Sequence, residues 1–334
     1  MRNWRDDLKL NAVSVDQRRV PVPNSISREA QQWLHNAVRN DGLPINALYP
    51  MPPAEDHEAW QKLKSAVDST YAATVSVLES SRDVQLSRKR IGSADVHFAK
   101  PIELDRADCV YIDLHGGALV FGGGEASREG ARIAASRFSI QCYGVDYRMP
   151  PEFPFPAALD DCMCVYKHAV DTYGAERIVI GGRSAGGNLA LATVVRAQDE
   201  GLDLSRAVVL LSPEIDLTES GDSFQTNKMI DVNLPTSLMP ANLLYANGAD
   251  LAHPYISPLF GRFTNEFPPT FIQSGTRDLL LSNAVRLHRA LRQVGAVAEL
   301  HVFEAMPHGG FGDAPKDEEL SREVARFVNA ALSQ

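Results

Sequence analysis

The chain has 334 residues, 44% of them hydrophobic and 22% charged, and its net charge is −9 at pH 7. This composition is typical of a globular protein with a sizeable core, either one large domain or a core with a smaller appendage. The acidic balance, without a basic patch, argues against a nucleic-acid partner. No apolar run approaches the roughly eighteen residues of a transmembrane helix, so we expect no membrane partner either.

The start of the chain and its cysteines indicate a cytoplasmic protein without a metal site. Residues 1–7 lack the apolar core of a signal peptide. The four cysteines have neither the spacing of a disulfide framework nor that of metal ligands. We therefore expect them to be reduced core residues.

Residues 1–82 have a helical pattern that differs from the rest of the chain. A capping sequence at residues 25–29 precedes apolar residues at helical spacing, and a longer helical pattern runs from Trp60 to Val75. Two interpretations of the aromatic residues in this segment stay open. They pack against the core, or they form a lid over an active site.

From residue 84 onwards strand-like and helical segments alternate. The predicted strands, of which the first two form an antiparallel pair, are residues 84–91, 94–99, 109–114, 140–145, 178–180, 207–211, 270–273 and 299–303. The predicted helices are residues 127–136, 157–173, 185–197 and 283–294. This alternation predicts an α/β fold, with a mostly parallel sheet of about eight strands covered by helices on both faces. Residues 217–256, rich in proline and apolar side chains, interrupt the alternation and are predicted to form a second lid segment.

A serine lies at the turn between the fifth strand and the helix that follows it. The sequence of residues 182–186, Gly-Arg-Ser-Ala-Gly, fits the pattern G-x-S-x-G. Such a turn holds the serine in a strained conformation and exposes Oγ at the carboxyl end of the sheet, above the positive end of a helix. The pattern is short and also occurs as a packing turn, so the assignment of Ser184 as a nucleophile depends on finding its partners.

Backbone donors for a developing negative charge are predicted from a second motif. His115, Gly116 and Gly117 follow a buried strand directly, and glycines let backbone N–H groups approach a ligand oxygen. Together with the N–H of Ala185, the residue after the nucleophile, Gly116 and Gly117 would form an oxyanion hole.

An acid and a base follow later strands. Asp278 lies just beyond the strand at residues 270–273, and His308 just beyond the last strand. Serine, acid and histidine in this chain order match the order that the α/β-hydrolase arrangement needs. We expect His308 to take the proton of Ser184 and Asp278 to hold the imidazole in the correct tautomer.

With these motifs the chain resembles the hormone-sensitive-lipase-like branch of the α/β-hydrolases, the bacterial esterase family with an HGG motif. The most specific part of the resemblance is residues 146–161, Asp-Tyr-Arg-Met-Pro-Pro-Glu-Phe-Pro-Phe-Pro-Ala-Ala-Leu-Asp-Asp. This stretch is expected to be structural, a proline-rich loop held by Arg148, Glu152 and Asp160 that leads into a helix.

The resemblance implies an α/β-hydrolase core at residues 83–334, with a helical cap built from residues 1–82 and from the insertion at 217–256 after the sixth core strand. It implies hydrolysis of carboxylic esters with short-to-medium acyl chains, without a cofactor. The expected partner is a small-molecule ester. A homodimer joined through the last core strand is also implied.

Four positions depart from the family pattern. One of them, Ala118, replaces the commoner glycine after the HGG motif, and we expect little effect from it. Arg183 stands where relatives have Asp or Thr, and its partner cannot be predicted. Glu214 stands where many relatives carry an aromatic residue, so we expect an altered acyl pocket. Ser282 replaces a frequent acidic residue, which leaves Asp278 as the only carboxylate in residues 274–283.

Other functions remain as alternatives. A lactone hydrolase would use the same triad. A non-catalytic small-molecule receptor of the same fold is a remote alternative, because receptors of this kind have lost the histidine that His308 supplies here. A metal-dependent hydrolase is disfavoured, since no His or Cys pair has ligand spacing.

Overall fold

The computed structural model describes residues 19–76 and 83–333. The expectations for residues 1–18 and for the domain boundary at residue 82 therefore lie outside the described residues. One eight-stranded sheet runs through the molecule. Its strands are β1 (Val84–Ile91), β2 (Ala94–Pro101), β3 (Arg106–Leu114), β4 (Ile140–Asp146), β5 (Ile178–Arg183), β6 (Ala207–Leu211), β7 (Thr270–Gly275) and β8 (Ala298–Phe303).

The α-helices of the described residues are α1 (Arg28–Asn36), α2 (His57–Ser76), α3 (Glu125–Phe138), α4 (Ala157–Tyr173), α5 (Ala185–Asp199), α6 (Ser223–Thr226), α7 (Met239–Ala246), α8 (Leu281–Gln293) and α9 (Pro315–Leu332). Short 3₁₀ helices cover Ile45–Leu48, Ala175–Arg177 and Pro258–Phe260. The helices predicted at residues 127–136, 157–173, 185–197 and 283–294 are α3, α4, α5 and α8. Helix α9 was not predicted.

The sheet has the order β1-β2-β4-β3-β5-β6-β7-β8. β2 is antiparallel to both of its neighbours, and every pair from β4 to β8 is parallel. The predicted mostly parallel sheet with an antiparallel entry is thus confirmed. Leu114 is in register with Gly182, and Arg183 with Leu211. The carboxyl ends of β3, β5 and β6 therefore meet at one edge, where ligands bind in sheets of this kind.

Both faces of the sheet are buried, which explains why the central strands are apolar throughout rather than alternating. Alternate side chains of β3 point to opposite faces. Ile112 and the β3 side chains on its face pack under α4, α5 and α8. On the other face, those that include Tyr111 pack under α1, α3 and α9. Leu320, Val324 and Val328 line the inner side of α9 at four-residue spacing, so the signal for this helix was present in the sequence.

The two N-terminal helices have different neighbours. α1 begins as predicted, with the Ser27 hydroxyl accepting a hydrogen bond from the Ala30 N–H at 3.3 Å, and its Leu34 packs in the core under α9. α2 instead contributes Trp60 to a separate apolar cluster that also holds Phe121 and Leu238. Helix α1 therefore packs against the core, whereas α2 packs with residues of the insertion between β6 and β7.

Arg148 holds the proline-rich loop at residues 146–161 as expected, but the carboxylate that it binds is Asp161, which was not among the residues expected to hold the loop. The Arg148 guanidinium donates to Asp161 at 2.9 and 3.0 Å, and Asp160 binds Arg196 at 2.6 Å instead. The two aspartates are adjacent on α4, so they face about 100° apart. Asp161 faces inward and is fully buried, whereas Asp160 is solvent-accessible.

All four cysteines lie in the described part of the chain and are unpaired. Cys109, Cys142 and Cys162 are buried, and Cys164 is partly exposed. The three buried cysteines fit the expectation of core residues, whereas Cys164 does not, and the cytoplasmic location stays a prediction. Among the described residues, no helix is both long and apolar enough to cross a membrane.

Candidate active site

The turn between β5 and α5 places Ser184 at the carboxyl edge of the sheet. Its backbone has φ +56° and ψ −121°, a strained conformation for a residue with a side chain. The turn is tight enough that a Cβ on Gly186 would lie 1.8 Å from the Leu114 carbonyl oxygen. Glycine is therefore required there, which is the physical reason for the last position of the G-x-S-x-G pattern.

Ser184, His308 and Asp278 form a hydrogen-bonded chain. His308 Nε2 lies 3.0 Å from Ser184 Oγ, and His308 Nδ1 lies 3.2 Å from Asp278 Oδ1. An ionised Asp278 can only accept, so Nδ1 carries the hydrogen and Nε2 accepts from the serine hydroxyl. In the sequence, Ser184 and Asp278 are 94 positions apart, and Asp278 and His308 are 30 positions apart. The structure brings all three together.

Asp278 is fully buried but well supplied with donors. Besides His308, the Ser274 hydroxyl donates to Oδ2 at 2.7 Å and the Leu280 N–H to Oδ1 at 2.9 Å. Burial alone would raise the pKa of this carboxyl, but the hydrogen bond and positive charge of His308 and these two donors lower it below its ordinary value. Asp278 is therefore ionised at neutral pH.

The pKa of His308 is shifted in the opposite direction. Burial would lower the pKa of the imidazole, but its hydrogen bond to Asp278 and the negative charges of Asp278 and Asp231 raise it above the ordinary value. The raised pKa means that the surroundings of His308 stabilise its imidazolium form.

The predicted oxyanion residues lie beside the serine. A Cβ on Gly116 would meet the Arg183 carbonyl oxygen at 3.0 Å and the Ser184 Cβ at 3.5 Å, so this loop touches the nucleophile turn. Among the described residues, no backbone carbonyl accepts a hydrogen bond from the N–H of Gly116 or Gly117. Ala185 is the first residue of α5, where N–H groups have no partner within the helix. Among the described residues, none of the three N–H groups thus donates to a backbone carbonyl.

The specific loop at residues 146–161 supports the oxyanion loop. Tyr147 stacks on the His115 ring with centroids 4.0 Å apart and an interplanar angle of 6°. Its hydroxyl donates to the His115 carbonyl oxygen at 2.7 Å. This stretch therefore has the structural role expected of it, and the residue it supports comes directly before Gly116.

Arg183 finds no hydrogen-bond partner for its buried Nη1 among the described residues. It lies close enough to Asp113 that its charge acts on that carboxyl. Burial is the larger effect, however, and it raises the pKa of Asp113 to about 6 against the lowering charges of Arg137 and Arg183. Arg183 thus belongs to a group of interacting charged residues that includes Asp113 and Arg137.

Glu214 follows β6 and lies directly against the nucleophile turn, since its N–H donates to the Ser184 carbonyl oxygen at 3.1 Å. Its side chain is buried, and neither carboxyl oxygen has a hydrogen-bond partner among the described residues. Burial, with a smaller contribution from the charge of Glu219, raises the pKa of Glu214 to about 8. Glu214 is therefore largely protonated at neutral pH. The expected change to the acyl pocket stays a prediction.

Two residues in contact with the site were not singled out from the sequence. The buried Asn188 amide donates at 2.8 Å to the carbonyl oxygens of both Glu214 and Ile256, and so fastens the loop after β6 to α5. The buried Asp231, in the insertion, accepts from the backbone N–H of His308 at 3.1 Å. No local motif marks Asp231.

Within residues 19–76 and 83–333, no group of three or more His, Cys, Asp or Glu side chains could hold a metal ion.

Comparison with known proteins identifies the family. A family model described as the alpha/beta hydrolase fold matches residues 111–312, a range that contains all of the predicted site residues. This chain belongs to the α/β-hydrolase family. An acetyl-hydrolase from Streptomyces hygroscopicus is 30% identical over 220 residues, which are 65% of this chain and 73% of that protein.

Solved structures of α/β-hydrolases are similar over almost the whole chain. One esterase has 33% sequence identity and a TM-score of 0.87, covering 95% of this chain and 98% of its own. An esterase from the bacterial hormone-sensitive lipase family has 27% identity and a TM-score of 0.78, covering 92% of this chain and 99% of its own. The predicted fold and the resemblance to hormone-sensitive-lipase-like esterases are confirmed.

Proposed function

We propose that this chain, an esterase of the hormone-sensitive-lipase-like branch, hydrolyses carboxylic esters with short-to-medium acyl chains through an acyl-enzyme on Ser184. The observation that carries the proposal is the hydrogen-bonded chain from Ser184 Oγ through His308 to Asp278, with spacings of 3.0 and 3.2 Å. Serine is a weak nucleophile at its free pKa, and a base within hydrogen-bond distance activates it.

In the first half of the reaction, Ser184 Oγ attacks the ester carbonyl carbon while His308 Nε2 takes the hydroxyl proton. The carbonyl oxygen becomes an oxyanion, and the N–H groups of Gly116, Gly117 and Ala185 stabilise it. Loss of a single such donor costs about 3–4 kcal/mol of transition-state stabilisation. The imidazolium then gives its proton to the leaving alcohol, and the acyl group stays on Ser184.

In the second half, His308 removes a proton from water, which attacks the acyl-enzyme through the same oxyanion geometry. The imidazolium returns its proton to Ser184, and the carboxylic acid leaves. Asp278 stays ionised throughout, since its pKa lies below the ordinary range. Its function is to orient the imidazole and to stabilise its positive charge.

A cap of α2 and the insertion between β6 and β7 is proposed to select the acyl length. Three contacts support it. Trp60 of α2 packs with Phe121 and Leu238 over the oxyanion loop, and the Asp68 carboxylate of α2 accepts from the Gly122 N–H at 2.7 Å. A pocket closed by this apolar cluster would admit short chains and exclude long ones.

The mechanism is tested with Ser184→Ala. We expect turnover to fall about a million-fold, as for a nucleophile that acts as a unit with its base, and labelling by a fluorophosphonate probe to disappear. Ser87→Ala, at an exposed serine of β1, is the matched control and should keep both. Substantial hydrolysis by Ser184→Ala would contradict the proposal.

The substrate range is tested with a series of p-nitrophenyl esters of increasing acyl length, beside a series of lactones. We expect an optimum at short-to-medium chains, because each methylene that fits adds up to about 0.8 kcal/mol of binding and the first that does not fit reverses the trend. Leu238→Ala should move the optimum to longer chains. Leu287→Ala, an equal truncation in the buried core of α8, should not. Faster turnover of lactones than of esters would favour the alternative.

We propose a homodimer in which the β8 strands of two chains pair. β8 is the outer strand of the sheet, and its Val302 is 42% exposed. A lysine there would place like charges near each other across a two-fold interface. Sedimentation should show a dimer for the wild type and a monomer for Val302→Lys. Val285→Lys, at a 40% exposed position of α8, should remain dimeric. A monomeric wild type would contradict this proposal.

A further inference from the structure

Asp231 connects the insertion to both loops that carry the base and the acid. Its side chain is fully buried. Oδ2 accepts from the backbone N–H of His308 at 3.1 Å and from that of Leu279, the residue after Asp278, at 2.8 Å. Oδ1 accepts from the N–H groups of Asn233 and Leu234, both at 3.0 Å. One carboxylate therefore fixes three separate pieces of backbone.

Side-chain amides of the insertion complete this arrangement. The Asn233 amide donates to the His308 carbonyl oxygen at 2.6 Å, and the Asn227 amide donates to the Asp278 carbonyl oxygen at 2.8 Å. Both backbone polar groups of His308 are thus held by the insertion, its N–H by Asp231 and its carbonyl by Asn233. This fixes the direction in which the imidazole leaves the backbone.

The charge of Asp231 also acts on the site. The titratable groups that bear on it are Asp278 and His308, and its four hydrogen bonds come from backbone N–H groups. Burial, and then the negative charge of Asp278, raise the pKa of Asp231 to about 6, against the lowering effect of His308 and of the backbone donors. At neutral pH both carboxylates are ionised, and both contribute to raising the pKa of His308.

We propose that Asp231 is a positioning residue of the active site, which holds the His308 backbone in place and stabilises the imidazolium through its negative charge. The proposal deepens the function proposed above and rests on it, since it assumes that His308 is the base. In the ground state the imidazole is neutral, and the positive charge exists only after proton transfer from Ser184. A fixed negative charge close to the imidazole therefore favours the transition state over the ground state.

The test is the pH dependence of kcat/KM for Asp231→Asn, with the concentration of active sites determined by fluorophosphonate labelling. We expect the plateau to fall about tenfold or more, and the acid limb to move to lower pH because the imidazolium loses a stabilising charge. Asn233→Ala is the matched control, since it removes one contact to His308 but no charge. It should lower the plateau and leave the acid limb where it is.

The two parts of the proposal can be separated by a second variant. Asp231→Glu keeps the charge but displaces the carboxylate, so its plateau should fall while its acid limb stays near that of the wild type. If Asp231→Asn does not fold, Asp231→Ser provides a smaller neutral acceptor with the same expected shift.

An unshifted acid limb in the neutral variants, or a limb displaced to lower pH in Asp231→Glu, would overturn the proposal. Its failure is distinguishable from failure of the proposed function. If Ser184→Ala is inactive while Asp231→Asn behaves as the wild type, the triad stands and the role of Asp231 does not.

Discussion

The buried carboxyl of Glu214 should make the stability of this esterase depend on pH in a way that one substitution removes. Its pKa is raised from 4.5 to about 8 in the folded protein. Between these values the native state holds a proton that the unfolded chain has released. Stability contributed by this proton is fully present below pH 4.5, declines as pH rises, and is gone above about pH 8. Glu214→Gln has nearly the same shape but cannot ionise.

The free energy of unfolding of Glu214→Gln relative to wild type should therefore increase by about 1.4 kcal/mol for each pH unit in this interval. Across the whole interval from 4.5 to about 8 the change is about 5 kcal/mol. This is an upper limit, because structural relaxation and water entry weaken the penalty for burying a charge. It is still large beside the total stability of a domain, which is about 5–15 kcal/mol.

The assay is denaturant unfolding of both proteins at unit steps from about pH 5 to about pH 9, at constant ionic strength. The difference between the two should be small at the acid end, grow steadily, and level off above the pKa of Glu214. Glu55→Gln, at an exposed glutamate, should show no such growth. A difference that stays constant over the whole range would refute the reasoning, because it would mean that Glu214 ionises normally in the folded protein.

Three further predictions concern catalysis. The acid limb of kcat/KM should have its midpoint above about 6.5, because only neutral imidazole accepts the Ser184 proton and the pKa of His308 is raised; a midpoint below this value contradicts the electrostatics of the site. Asp278→Asn should lower kcat about ten-thousand-fold, whereas Asp313→Asn, at an exposed position, should have little effect. The reverse result would mean that Asp313 is the acid of the triad. EDTA should not change the rate, and a loss that a divalent metal restores would contradict the mechanism.

The triad was predictable because each of its members follows a predicted strand in a recognisable local sequence. Parallel strands end at the same edge of a sheet, so the order of the strands was not needed to expect Ser184, Asp278 and His308 together. The helices that alternate with strands were predicted for the same reason. Helix α9 was missed although Leu320, Val324 and Val328 have helical spacing, because no strand follows it to suggest a crossover.

Other features depend on contacts that no local pattern encodes. Asp231 binds backbone N–H groups 48 and 77 residues away, and backbone donors leave no trace in the sequence. The partner of Arg148 is Asp161 rather than Asp160 because of the rotation of α4 about its axis, which is set by packing. The absence of partners for Glu214 is likewise a property of the folded surroundings and not of its neighbours in sequence.

Three buried carboxyls in or beside the site show why burial alone does not decide charge. Asp278, Asp231 and Glu214 are all at most 1% exposed, yet the pKa is lowered for Asp278, raised to about 6 for Asp231 and raised to about 8 for Glu214. The order follows the partners. Asp278 is hydrogen-bonded to His308, whereas the hydrogen bonds of Asp231 come from neutral backbone N–H groups and the charge of Asp278 opposes that of His308 there. Glu214 has no hydrogen-bond partner among the described residues.

At neutral pH this order places two negative charges beside His308 and keeps Glu214, which lies against the nucleophile turn, uncharged. The arrangement suits the reaction. Positive charge develops on the imidazole, where the carboxylates stabilise it, and negative charge develops on the substrate oxygen. The backbone N–H of Glu214 donates to the Ser184 carbonyl oxygen at 3.1 Å, and a negative charge on this residue would oppose the oxyanion that the N–H groups of Gly116 and Ala185 stabilise. Above about pH 8, where Glu214 ionises, the rate should therefore decline in the wild type but not in Glu214→Gln, and equal alkaline limbs in the two proteins would contradict this role.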